Sequence, residues 1–418
     1  MSSSSWQGPR LSLLRVFIPF ALGYFLSYLF RVVNAVIAPN LTQDLSLDPA
    51  RLGLLTAAYF LTFAAFQLPL GVLLDRFGPR RVEAVLLVFA AAGALVFARA
   101  ESLAGLVAGR ALIGFGVSAC LMAAFKSFVI WFPAPRLPLV NGLQMAAGGM
   151  GAIAATAPVE AMLQVVDWRG VFVLLALLTL LVATVIFVAV PERQTAGGGT
   201  DLQLQLRGIA TVFRNPFFWR IAPWTVASQA TFLSLQGLWA GPWLRDVAGF
   251  ERPLVAQALL LIAVAMVAGF FLFGIAAERL GRRGISPITV AASGMLAFML
   301  VQLMLVCGWT PLPRLLWVLF GFFGTASILP YAALSQNVPP ELTGRANTGL
   351  NLLVFVAAFA AQWGIGAIVS LWPSGIAGRY ASAGFRAGFG LMLAMQILAW
   401  LWFLVASRRS TADGKRAN

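Results

Sequence analysis

The sequence predicts an all-α membrane protein of twelve transmembrane helices arranged as two pseudo-symmetric six-helix bundles. Three observations predict it. Of 418 residues, 60% belong to the set AVILMFWYC and 10% are charged, with a mean hydropathy of +0.88, whereas a soluble domain is about 25% charged. The apolar residues gather into segments of about 20, the length a helix needs to cross roughly 30 Å of hydrocarbon. A charged and glycine-bearing pattern also recurs in the two halves at a constant offset of 203 residues. Together these exclude a cytosolic enzyme, a disordered regulator and a disulfide-stapled secreted domain. Cys120 and Cys307 both sit inside apolar runs, and the chain contains no histidine to ligate a metal or shuttle protons. No cofactor and no metal are expected.

The elements follow in order. Span one covers 12–38; Met1–Arg10 before it carries no apolar core or cleavage site, so no removed signal peptide is expected. Spans two and three, 52–74 and 82–98, flank the segment GVLLDRFGPRR, and span four, 103–131, carries Arg110 and Lys126. Span five, 139–163, is interrupted by Gly142, Gly148, Gly149, Gly151 and Pro158; in lipid such glycines permit close helix packing. Span six, 170–190, ends the N-terminal bundle (1–190). The polar stretch 191–218, with its run Ala196-Gly-Gly-Gly-Thr200, reads as a central cytoplasmic loop before the C-terminal bundle (219–418). Span seven, 219–244, places Gln229, Gln236, Trp239 and Trp243 at helical spacing. Span eight, 254–277, leads into GIAAERLGRRG; spans nine to twelve are 287–307, 315–336, 346–371 and 385–406.

The net charge of +15, from 29 Lys+Arg against 14 Asp+Glu, would suggest a nucleic-acid partner in a soluble protein. Its distribution argues for a bilayer. With both termini cytoplasmic, eighteen of the 29 basic residues fall on the inner side, eight in outer loops, and three within spans: Arg31, Arg110 and Lys126. That asymmetry is the positive-inside pattern, and no nucleic acid is expected.

In the recurring segment, Gly71 pairs with Gly274, Asp75 with Glu278, Arg76 with Arg279, Gly78 with Gly281 and Arg80 with Arg283. Duplicated halves are how many secondary transporters build a midplane site. Asp75, at the cytoplasmic end of span two, can accept from arginines or helix ends of the other half and so latch the cytoplasmic side. The candidate gating residues are Gly71, Asp75, Arg76, Gly78, Arg80, Arg81, Glu278, Arg279 and Arg283. Simple anchoring by Arg76, Arg80 and Arg81 is the alternative, but it leaves the recurrence of acid and glycine unexplained.

Ionisable residues inside spans are costly and mark function by default. Arg31 lies eight residues before Pro39, so about 12 Å inside the outer end at 1.5 Å per residue. Tyr24, Tyr28 and Arg31 share one helical face, since spacings of four and three bring side chains together. That face offers a guanidinium and two phenols, which suits a carboxylate or phosphate. Arg110 sits at a similar depth in span four. Lys126 either faces a cavity or snorkels to the cytoplasmic surface. Glu160 reads as the one acid well inside a span and so as the candidate to titrate or pair; an early end of span five would leave it near the surface. Gln236, Trp239, Tyr331 and Asn351 are the remaining candidate lining residues, with Tyr24, Tyr28, Arg31 and Lys126.

The segment Gly71, Leu73, Asp75, Arg76, Gly78, Arg80 and Arg81 resembles the signature loop of the major facilitator superfamily, and Arg110, Gly114 and Gly116 resemble its span-four signature. The resemblance implies a six-plus-six helical fold, a cavity lined largely by spans 1, 4, 7 and 10, alternating access, and a role for Arg110 in proton transfer or conformational coupling. Tyr28, Arg31 and Pro39 also resemble span one of the anion:cation symporter branch, in which the arginine contacts an organic anion. That branch's acids are replaced here by Phe30 and Val117, so its coupling mechanism does not carry over. The expected function is secondary uptake of a small organic anion, by symport with a proton or sodium, through a monomer in a bacterial inner membrane. A drug or metabolite exporter working as a proton antiporter is the alternative. No glycine-rich nucleotide loop is present.

Overall fold

The computed structural model describes residues 13–133, 137–192, 210–338, 340–372 and 379–416. The helices are α1 (Ile18–Val32), α2 (Asn34–Leu45), α3 (Pro49–Arg99), α4 (Leu103–Gly116), α5 (Cys120–Trp131), α6 (Leu137–Ala154), α7 (Ala157–Met162) and α8 (Trp168–Ala189). They continue as α9 (Pro216–Ser234), α10 (Ala240–Asp246), α11 (Arg252–Gly281), α12 (Pro287–Val306), α13 (Pro313–Gly324), α14 (Leu329–Gln336), α15 (Pro340–Val369) and α16 (Ser382–Arg416). The described residues form two compact units. Unit one draws on Met1–Val33 and Ala65–Thr200, unit two on Asn34–Ala64 and Asp201–Asn418.

Side-chain caps set where several helices begin. Ser102 accepts from Gly105 N, Asp167 from Gly170 N, Asn215 from Phe217 N and Ser286 from Thr289 N. Each satisfies a donor the first helical turn would otherwise leave open.

In unit one, the second half of α3 lies close against α4. A Cβ at Gly109 would stand 2.7 Å from Phe97 N, and one at Gly116 would stand 2.3 Å from Ala90 N. Small residues permit this approach, and dispersion between close backbones supplies the attraction that hydrophobicity cannot supply in lipid. Helix α8 shows the complementary division of faces. Phe172, Ala176, Thr179 and Ile186 are buried, while Leu177, Leu181 and Val188 are exposed to what would be hydrocarbon.

Unit two packs α11 on α13 by the same device: a Cβ at Gly321 would meet Ile262 O at 2.7 Å. Trp224, Phe273, Met295, Met299 and Leu393 form an apolar core cluster. Beside it runs a neutral polar network. Ser228 Oγ donates to Gln396 Oε1, Gln396 Nε2 donates to Gln302 Oε1 and to Thr231 Oγ1, and Gln302 Nε2 donates to Phe389 O. All four side chains are buried, so three helices, α9, α12 and α16, are tied by bonds that water cannot replace.

Among the described residues, ten helical segments are long and apolar enough to cross a membrane. The other two expected spans, 139–163 and 219–244, are helical but segmented. Helix α6 ends at Ala154, Thr156 Oγ1 turns back to Ile153 O, and Pro158 opens the short α7. In span seven, α9 passes into a π-turn at Leu235–Trp239 before α10. Pro242 has no N–H to give, and widening the preceding turn relieves the clash of its ring. Span one likewise breaks at Val33 and continues as α2 to Leu45, with Pro39 inside it.

Candidate functional site

The expected face of span one assembles in unit one. Tyr24 and Tyr28 meet edge to face with ring centroids 5.1 Å apart, and the Arg31 guanidinium carbon lies 4.4 Å from the Tyr28 ring centroid. Tyr24 OH donates to Met145 Sδ on α6 at 3.7 Å. Behind the rings is Gly148, also on α6, where a Cβ would stand 2.5 Å from Tyr24 Cε1 and 2.8 Å from Tyr28 Cδ2. The pair is therefore seated on bare backbone. Arg31 is buried, as is Arg110. Arg110 Nη1 donates to Phe30 O at 2.8 Å, so α4 grips α1 one residue before Arg31. Lys126 is half-buried on α5.

Glu160 lies in α7, the helix left after span five breaks, and accepts from Gln164 Nε2 at 3.4 Å. It is not the only buried acid. Glu83, in the second half of α3, has no exposed surface, and a Cβ at Gly23 of α1 would stand 2.3 Å from Glu83 Oε1. The sequence signal was the acid's place only two residues beyond Arg81, which reads as the edge of a cytoplasmic loop. In the structure two helices meet at a break at Gly78, and the second of them, already helical at Arg80 and Arg81, takes Glu83 inward.

In unit two, Tyr331 is within hydrogen-bonding distance of two partners, donating to Gln229 Oε1 or Asn351 Oδ1 at 3.4 Å each, and Gln229 Nε2 donates to Ser327 O. This brings α9, α14 and α15 to one polar cluster. Gln236 and Trp239 lie elsewhere: Gln236 Nε2 faces Met266 Sδ at 3.4 Å, and Trp239 Nε1 donates to Gln362 O while its ring packs on Tyr380 and Phe385. The π-turn rotates these residues off the Gln229 face, which regular helical spacing could not anticipate.

The gating candidates divide between the units. In unit one, Arg80 and Arg81 pair with Glu192, and the Arg80 guanidinium lies over the Phe187 ring. Arg76 stands 5.2 Å from the Phe77 ring, Gly71 is exposed, and the Asp75 side chain falls outside the described ones. In unit two, Glu278 accepts from Arg282 Nη2 at 2.6 Å, and Arg279 and Arg283 are exposed. The repeat is not matched in backbone conformation. Gly78 has φ +78°, but its counterpart Gly281 is not in the left-handed region; Gly284 is, at φ +81°.

Comparison with known proteins decides the family. The Major Facilitator Superfamily model matches residues 20–362. The chain belongs to the Major Facilitator Superfamily. Relatives among characterised and named proteins include "Probable sulfoacetate transporter SauU" of Cupriavidus necator, 25% identical over 282 residues, or 63% of this chain and 64% of that one. The hexuronate transporter of Escherichia coli is 27% identical over 217 residues, 48% of this chain and 50% of that one. These matches span less than two thirds of the relatives' lengths. Among solved structures, a bacterial homolog of the human lysosomal transporter Spinster superposes with a TM-score of 0.76 at 17% identity, covering 97% of this chain and 98% of that one. A D-xylose-proton symporter gives 0.74 at 15% identity, over 94% and 97%. These likenesses establish the superfamily fold: an all-α, multi-pass membrane protein.

Proposed function

We propose that this superfamily member is a secondary active transporter that carries a small organic anion across the inner membrane by alternating access, with uptake symport as its mode. The observation that carries the reading is the buried Arg31 guanidinium against the Tyr28 ring, on a helix face backed by Gly148. A guanidinium offers two parallel donors to a carboxylate or sulfonate, and the phenols add directed hydrogen bonds. The buried cations of unit one, Arg31 and Arg110, are matched in number by its buried acids, Glu83 and Glu160, so the anion reading rests on the placement of Arg31 and not on an excess of charge. The names of the relatives, sulfoacetate and hexuronate transporters, support the same class. Within unit two, Gln229, Tyr331 and Asn351 form a neutral polar cluster of their own.

In this reading Arg110 positions α1 through the Phe30 carbonyl, and the segments around Arg76 to Arg81 and Glu278 to Arg283 gate. The chain works as a monomer of two six-helix bundles on either side of 191–218, with both termini cytoplasmic. Export of an anion is the second reading, because one relative is named a nitrite extrusion protein, 26% identical over 188 residues.

Purified protein screened for thermal stabilisation against sulfoacetate, glucuronate, phosphonates, amino acids and cationic drugs tests the class, since a ligand preferring the folded state raises the transition. Organic anions are expected to stabilise it; stabilisation by cations alone would overturn the reading. Arg31→Ala is expected to reach the membrane and to lose both the stabilisation and uptake of the same anion.

A further inference from the structure

We propose that Glu83 is the proton-carrying residue of this transporter, a role resting on the transport reading above. Glu83 is fully buried in the membrane-spanning half of α3, and no N–H or O–H donor among the described residues reaches either carboxyl oxygen, the Cys120 thiol being the weak donor beside it. An ionised carboxylate stripped of water and of partners is far costlier than a neutral acid. The helices packed around it offer no counter-charge in contact. Helix α1 presents Gly23, α8 presents the Ile186 side chain, and α5 presents the Cys120 thiol, a weak donor. Arg31, on α1, interacts electrostatically with Cys120. A metal or sodium ion would need several converging oxygens, and no group of three or more His, Cys, Asp or Glu gathers among the described residues. A proton needs only one.

The position also explains how such a proton would be felt. Glu83 lies on the same helix as Arg80 and Arg81, which hold Glu192 beyond the end of α8, and Ile186 of α8 touches the same spot on α1. Gaining or losing the proton changes whether α3 can rest on Gly23 without water. When the carboxyl gives its proton to entering water, α1 and α3 must part to hydrate it. A protonation step is thereby linked to movement of the helix that carries Tyr24, Tyr28 and Arg31.

Two measurements on the full-length protein in lipid test this. In infrared difference spectra between acidic and alkaline buffer, wild type is expected to show the carbonyl stretch of a protonated carboxylic acid, persisting at neutral pH and shifting in D2O. Glu83→Gln is expected to lack that band. Its absence from wild type, or its persistence in Glu83→Gln, overturns the proposal without reference to any substrate. In proteoliposomes with sulfoacetate and glucuronate as probes, Glu83→Gln is expected to keep equilibrium exchange while losing accumulation driven by a pH gradient by about tenfold or more. Undiminished accumulation overturns it. So does loss of exchange together with accumulation that Glu83→Asp fails to restore, because that pattern marks a packing role. Should wild type move neither probe, the anion reading fails while the infrared result still decides Glu83.

Discussion

A guanidinium beside a phenol recognises an anion only while the ring holds its place, and here the ring is backed by a glycine. Placing a methyl at Gly148 would bring it within 2.5 Å of Tyr24 and 2.8 Å of Tyr28. Gly148→Ala is therefore expected to displace both rings and so take Tyr28 off Arg31, at a cost of about 1–3 kcal/mol of overpacking. The check is a rise in the apparent KM for the transported anion with a nearly normal amount of folded protein. Gly151→Ala is expected to be worse for folding, because its Cβ would stand 2.0 Å from the Phe25 carbonyl oxygen, a backbone atom that cannot rotate away; thermal unfolding in detergent measures it. The Tyr24, Tyr28 and Arg31 face was legible in sequence because its spacing is local. Gly148 and Glu83 were not. Gly148 acts through helix α6, remote in the chain from α1, and Glu83 stands at the edge of its span in sequence while packing against Gly23 of α1 in the structure buries it.

Internal duplication in sequence need not mean duplicated mechanics in an element. Gly78 and Gly281 match at the repeat offset, yet only Gly78 adopts a positive φ, while Gly284 takes that conformation three residues later in the second copy. Left-handed backbone costs a residue with a Cβ about 1–2 kcal/mol, so Gly78→Ala and Gly284→Ala are expected to lower the unfolding transition. Gly281→Ala, with open space around its Cβ, is expected to change stability by no more than about 0.5 kcal/mol. Equal effects at Gly78 and Gly281 would contradict the structural difference. Span seven gives a parallel lesson. Its Gln229, Gln236 and Trp239 look like one stripe, but the widened turn ahead of Pro242 sends Gln229 to Tyr331 and Trp239 to Gln362. Tyr380, which follows α15 outside the spans, has its phenol pushed above the ordinary 10.0 by burial. A tyrosine whose folded value is raised contributes stability below its unfolded value and loses it as pH rises through the folded one. Wild type is thus expected to lose stability above about pH 10 more steeply than Tyr380→Phe in alkaline thermal scans.

At the scale of the whole molecule, the composition made the membrane and the helices legible, and the basic residues predict an orientation. That orientation is open to a direct test with the native cysteines. Cys120 is buried and Cys307 is exposed at the end of α12, which the expected topology puts on the outer side. A membrane-impermeant maleimide added to intact cells is expected to label wild type and not Cys307→Ser; labelling only after the cells are broken would reverse the topology. The distribution of charge between the units has a further consequence. Among the described residues, the buried charged residues Arg31, Glu83, Arg110 and Glu160 belong to unit one, whereas the interior network of unit two is built from serine, threonine and glutamine, and its covered carboxylate, Asp246, is ion-paired with Arg245. Moving one elementary charge through the membrane potential is worth about 2.3 kcal/mol per 100 mV. The Arg245–Asp246 pair carries no net charge and the polar network of unit two is neutral, so the voltage across the bilayer has its purchase on the buried charges of unit one.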